Sequence, residues 1–135
     1  MNSLVAAVPG RPLAPLLKEE RGTRCLALVA HLAEQRIAVE MNPISNVCTG
    51  VVESVAAHPA KHYLEQGMLV CVNTDDPKMF HNTMTDEFWE LESQLGMTRD
   101  DVRTLILNGV EASWLPDEQK RALAAEIQSD KAWAR

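Results

Sequence analysis

At 135 residues, 46% apolar and 24% charged, the chain has the length and composition of one ordinary globular domain. Its net charge of −6 and the lack of any basic run exclude the electrostatic footprint of a nucleic-acid binder, so no DNA or RNA partner is expected. No apolar run approaches a membrane span, and three cysteines without a Cys-x-x-Cys pair read as reduced thiols of a cytoplasmic protein with no membrane partner.

The first twenty residues set Val5-Ala6-Ala7-Val8 among Pro9, Gly10, Pro12 and Pro15 and lack both the basic region and the long apolar region of a signal peptide. We read 1–22 as a divergent, disordered leader and 23–135 as the folded part. From 23 to 35, Leu26, Val29, Ala30, Leu32 and Ala33 recur at three and four, which predicts an amphipathic helix with His31 off the apolar face. Ile37–Met41 alternates and is β-branched, so it predicts a strand that Asn42-Pro43 ends. Ser45 and Asn46 follow at the strand's C-terminal end. There they could orient a metal-ligand neighbour or a substrate hydroxyl, although a turn role through side-chain bonds to the backbone is the simpler expectation.

His58-Pro59 precedes a helix running to Gln66, with Gly67 as its stop, and His58 reads as a helix-cap and loop-packing residue. His62 reads as a surface residue. Met68–Thr74 is almost continuously apolar, as a strand buried on both faces would be, and it leads straight into Asp75-Asp76-Pro77. If extended geometry persists through the pair, the two carboxylates point in opposite directions and can do different jobs. Asp-Asp-Pro is also an ordinary capping or turn sequence. His81, a few residues further on, reads as a loop histidine with nothing to fix it as a ligand.

The rest is helical in pattern. Phe88, Leu91 and Leu95 stripe one helix that Gly96 stops; Thr98-x-x-Asp101 resembles a capping box before Val102, Leu105 and Ile106; Pro116 opens a last helix through Leu123 and Ile127. Trp89, Trp114 and Trp133 lack the flanking basic residues of a base-stacking platform and are expected to be packing anchors.

Val39-Glu40-Met41-Asn42-Pro43-Ile44-Ser45-Asn46, then His58-Pro59, then Val72-Asn73-Thr74-Asp75-Asp76-Pro77 and Phe80 resemble, in order and spacing, the last third of the adenosine deaminase family, from about Arg24 to about Leu123. The resemblance implies a zinc-dependent aminohydrolase on a (β/α)8 barrel, converting adenosine or a related 6-aminopurine nucleoside or base to its 6-oxo counterpart and ammonia. By motif match it places Asp75 on the aspartate zinc ligand and Asp76 on the carboxylate that bonds the purine ring. A carboxylate can ligate zinc, and zinc brings the pKa of its bound water toward neutrality.

The family's site also takes histidine ligands, a proton-donating glutamate and a histidine that assists the water. The chain has only His31, His58, His62 and His81 and no His-x-His, and 13–23 holds no histidine, so the catalytic acid and base are not found. Asn42-Pro43 stands where the family has Cys-Pro. A complete barrel takes about 250 residues, so the expected fold is α/β, the C-terminal portion of a barrel: two strands with flanking helices. Two functions follow as alternatives: part of a zinc aminohydrolase, or a catalytically silent packing or interaction module. The open barrel edges invite self-association in either case.

Overall fold

A computed structural model describes residues 26–134; the leader expected over 1–22 lies outside them. Residues 26–34 are helical (α1), and Val29, Leu32 and Ala33 pack on the core while Leu26 and Ala30 of the predicted apolar face are exposed. The chain then forms β1 (Val39–Met41), α2 (Pro43–Cys48), a 3-10 turn (Val55–Ala57), α3 (Ala60–Glu65) and β2 (Val70–Val72). Four helices follow: α4 (Pro77–Phe80), α5 (Met84–Leu95), α6 (Arg99–Ala112) and α7 (Asp117–Ser129).

The two strands pair in parallel, Val39 with Val70, Glu40 with Cys71 and Met41 with Val72. All three residues of β2 are buried, as its unbroken apolar run predicts. Alternation sends Val39, Met41, Val70 and Val72 to one face, where they join Ala60, Met68, Leu91, Met97 and Leu105 in the core. Glu40 and Cys71 point to the other face. A parallel pair needs a crossover, which α2 and α3 supply. Together these elements form part of a (β/α)8 barrel, two of its strands with their helices.

Backbone bonds from Val39 N to Leu69 O (2.9 Å) and from Asn73 N to Met41 O (3.0 Å) turn the odd-numbered residues of β2 toward β1. The peptide groups of Val70 and Val72 therefore face the opposite edge. There α6 covers one carbonyl, with Asn108 Nδ2 donating to Val70 O at 2.8 Å.

The predicted capping box is present: Thr98 Oγ1 accepts from Asp101 N at 3.1 Å and Asp101 Oδ2 accepts from Thr98 N at 2.8 Å. Thr98→Ala is expected to lower the unfolding free energy by about 1 kcal/mol, read as a fall in the urea midpoint at unchanged slope; no fall would mean that the box adds nothing to α6. A second box, Thr83 with Asp86, opens α5.

Three expectations are corrected. The strands are shorter than the sequence suggests, because Ile37 and Ala38 lie before the paired segment and Asn73 ends it. Ile44-Ser45-Asn46 is helix, not turn, since Pro43 at the first helical position starts α2 as readily as it ends β1. Trp89 and Trp114 are exposed rather than packed; only Trp133 is half-buried, with the Arg99 and Arg103 guanidinium carbons each 5.9 Å from its ring centre.

Candidate active site

The carboxyl ends of β1 and β2 open on the same side, as parallel strands must, and the loop after each brings one polar residue to the other. After β1, Ser45 sits in the first turns of α2 and is buried. After β2, the chain leaves extended geometry: Asp75 takes φ 59°, a left-handed conformation that side-chain-bearing residues rarely adopt. Ser45 Oγ donates to Asp75 Oδ2 at 2.7 Å across thirty residues of sequence. Among the described residues this is the one bond to the Asp75 carboxylate, which is exposed and leaves Oδ1 for another partner. Ser45 thus orients the residue expected as the zinc ligand, in place of the turn role that is the simpler expectation from sequence.

The alternation expected for the two aspartates does not occur, because the strand ends at Val72 and the left-handed turn at Asp75 breaks the period. Asp76 still differs from Asp75 in its surroundings. It is extended (φ −95°, ψ 97°), and its Oδ1 accepts from Lys78 N and Met79 N, each at 3.0 Å, which caps α4. The carboxylate expected to bond a purine is therefore held by its neighbouring amides, with Oδ2 outside that cap.

Beneath both loops lies Glu87, fully buried on α5. Its Oε2 accepts from Ile44 N at 3.1 Å, and its Oε1 accepts from Asn82 Nδ2 at 2.5 Å; the same Asn82 nitrogen donates to Thr74 O at 3.1 Å. Burial pushes the Glu87 carboxyl above its ordinary range, and the bonds from Ile44 and Asn82 pull it back in part. Sequence reasoning passes over Glu87, although a signal is there: it stands four residues before Leu91, on the stripe where an apolar side chain belongs.

His58 is buried, Nδ1 accepting from Ala60 N at 3.2 Å and Nε2 lying 2.9 Å from Asn46 Oδ1. This pairing makes Nε2 the protonated nitrogen of a neutral ring and gives His58 the packing role read from the sequence, while the N-cap of α3 is Pro59 and His58 closes the 3-10 turn before it. Burial lowers its pKa from the ordinary 6.5. The unfolded chain therefore takes up the proton first, so this contribution to stability is complete above about pH 6.5 and is lost as pH falls below it. Glu87 acts in the opposite sense, its contribution complete below pH 4.5 and lost as pH rises through its raised value. The urea midpoint is accordingly expected to drop more between about pH 7 and about pH 5.5 in the wild type than in His58→Gln; equal drops would show that His58 does not titrate differently on folding.

His31, His62 and His81 are exposed, and His81 is the left-handed residue closing α4. Among the described residues no three His, Cys, Asp or Glu side chains gather where a metal could be held. Asp75 fits zinc as one ligand by its chemistry and its orienting bond, and the described residues do not complete a set of donors around it.

A groove of about 640 Å³ runs along β2, lined by Cys71, Val72 and Asn73 in succession and by Leu105, Gly109 and Val110 of α6. Asp75, Asp76 and Ser45 do not line it. Glu40 of β1, the partner of Cys71, lines it as well, so the groove touches both strands.

Two parallel strands with an oriented aspartate beyond their carboxyl ends are the arrangement of part of a (β/α)8 barrel. The adenosine deaminase profile matches residues 21–130, and the chain belongs to that family. It is 39% identical to the adenosine deaminase of Vibrio cholerae serotype O1 over 99 residues, 73% of this chain and 30% of the relative. Among solved structures, an adenine deaminase from Arthrobacter aurescens is similar with a TM-score of 0.74 at 31% identity, over 78% of this chain and 33% of the other. An amidohydrolase from Burkholderia ambifaria with bound zinc is similar with a TM-score of 0.63 at 30% identity, over 80% and 29%. The chain spans about 30% of the length of the curated relatives it matches. No helix among the described residues is long and apolar enough to cross a membrane.

Proposed function

We propose that this chain forms the C-terminal part of a catalytic domain that hydrolytically deaminates adenosine, or a related 6-aminopurine nucleoside or base, to inosine or its counterpart and ammonia. The observation that carries this is the Ser45 to Asp75 bond at the carboxyl end of the strands, the face on which barrels of this kind place their chemistry. Residues 23–135 are the barrel segment, and the remaining zinc ligands and the acid and base belong to the rest of the domain. Zinc, when bound, supplies the acidity that activates a water.

In this reading Asp75 is the ligand that the chain would contribute, and Ser45 orients it by bonding Oδ2. Asp76 bonds the purine through the oxygen that does not cap α4 and so orients the ring. The substrate is a small molecule and the compartment the cytoplasm; the charge of −6 repels nucleic acid. A catalytically silent module is the second reading. It is favoured by the lack of three gathered donors among the described residues, and it would use the groove beside β2 for self-association.

The test is a chimera in which residues 24–123 replace the matching segment of the Vibrio cholerae enzyme, assayed by the loss of adenosine absorbance. Turnover within about a hundredfold of the parent is expected. A folded chimera that holds zinc and is inert would favour the silent module.

A further inference from the structure

Glu87 is conspicuous for where it is and for what it joins. It occupies a fully buried position on the core-facing stripe of α5, where leucine would pack without the cost of desolvating a charge. Both of its oxygens are used, and they reach two segments that are remote from each other in sequence. One takes the amide of Ile44, the other the side chain of Asn82, which in turn holds Thr74 O. Ile44 and Thr74 are the residues immediately before Ser45 and Asp75.

We propose that Glu87 is a positioning residue: through Ile44 and through Asn82 it sets the start of α2 and the loop after β2 at the separation that lets the Ser45 hydroxyl meet Asp75. Its use, though not its existence, rests on the reading of Asp75 as a metal ligand. Two further features support the role. The Asn82 nitrogen lies between two acceptors, which fixes the amide's orientation and leaves its buried Oδ1 without a partner among the described residues. An orphaned oxygen is a poor way to stabilise a fold and a reasonable cost for holding a loop. Asp75 itself sits in a left-handed conformation, so its backbone needs a tether that fixes it there. The raised pKa of Glu87 fits its burial.

The test uses the full 135-residue chain and two variants. Glu87→Gln keeps an oxygen for Ile44 N–H but turns an amide N–H2 toward that of Asn82; Asn82→Ala removes the link to Thr74 and leaves Ile44 bonded. In both, backbone order parameters at Thr74, Asp75 and Asp76 are expected to fall from the rigid range near 0.85 to below about 0.6. Order parameters at Ile44 and at Val70 and Leu105 in the core should stay in the rigid range. Loops that stay ordered in both variants would overturn the proposal. So would a fall of the order parameters at Val70 and Leu105 in step with the loop, since that is general loosening of the fold. Zinc content of the chimera, which supplies the other donors, separates the two readings: if it is unchanged by Asp75→Ala, the ligand role fails, and the order parameters still decide the role of Glu87.

Discussion

Replacing Glu87 with leucine is expected to lower the unfolding free energy by about 2–5 kcal/mol, although leucine is the residue that its position on α5 would ordinarily take. The side chain is fully buried and its neighbours on the stripe are Leu91 and the core. The volume change is small, so the cost is not that of a cavity. It comes from the Ile44 N–H and the Asn82 amide, which lose their acceptor inside the protein, at about 1–3 kcal/mol for each stranded group. Against this stands the relief of removing a buried carboxylate, whose raised pKa marks a desolvation cost. Removing one member of a satisfied polar network leaves the others unpaired, and that loss outweighs the relief. For a domain of ordinary stability, about 5–15 kcal/mol, the result is a large fall in the urea midpoint. An unchanged or raised midpoint would mean that the Ile44 and Asn82 bonds are replaced by water without loss.

In the zinc-holding chimera, Asp75→Ala is expected to reduce deamination by about a thousandfold or more, and Ser45→Ala by about tenfold. The two differ because they act at different removes. Loss of a carboxylate that would hold the metal would weaken the metal's binding directly. Loss of the serine removes only the bond that orients that carboxylate, and groups that orient a ligand cost about 10–100-fold when removed. Equal and small losses in both would place the metal away from Asp75. Metal content must be measured beside the rate, so that an empty site is distinguished from a misaligned one.

Much of the scaffold can be read along the chain because it depends on neighbours. The unbroken apolar run before Asp75 gives a strand buried on both faces, and β2 is that strand. Thr98 and Asp101 are three apart and close their own box; Gly96 ends α5 in the left-handed conformation that glycine favours. The site is legible in part. Asp75 and Asp76 carry their signal in a contiguous motif, whereas the contact of Ser45 with Asp75 spans thirty residues and exists only once β1 and β2 are paired. Glu87 is obscured for a related reason: a charge on an apolar stripe looks like an exposed residue until its partners, Ile44 and Asn82, arrive from other segments. The α2 helix is hidden by Pro43, which serves a strand end and a helix start equally well. Trp114, fully exposed at the end of α6, suggests a core position by its size alone; nothing in the structure explains its exposure.

The most direct measurement is the zinc content of the purified chimera, compared between the native residue and Asp75→Ala at matched folding. One zinc per chain in the first and far less than one in the second is the result predicted by the proposal that Asp75 is the ligand this chain contributes. One zinc per chain in both would contradict it, and would leave Asp75 as a loop residue that Ser45 holds for some other purpose.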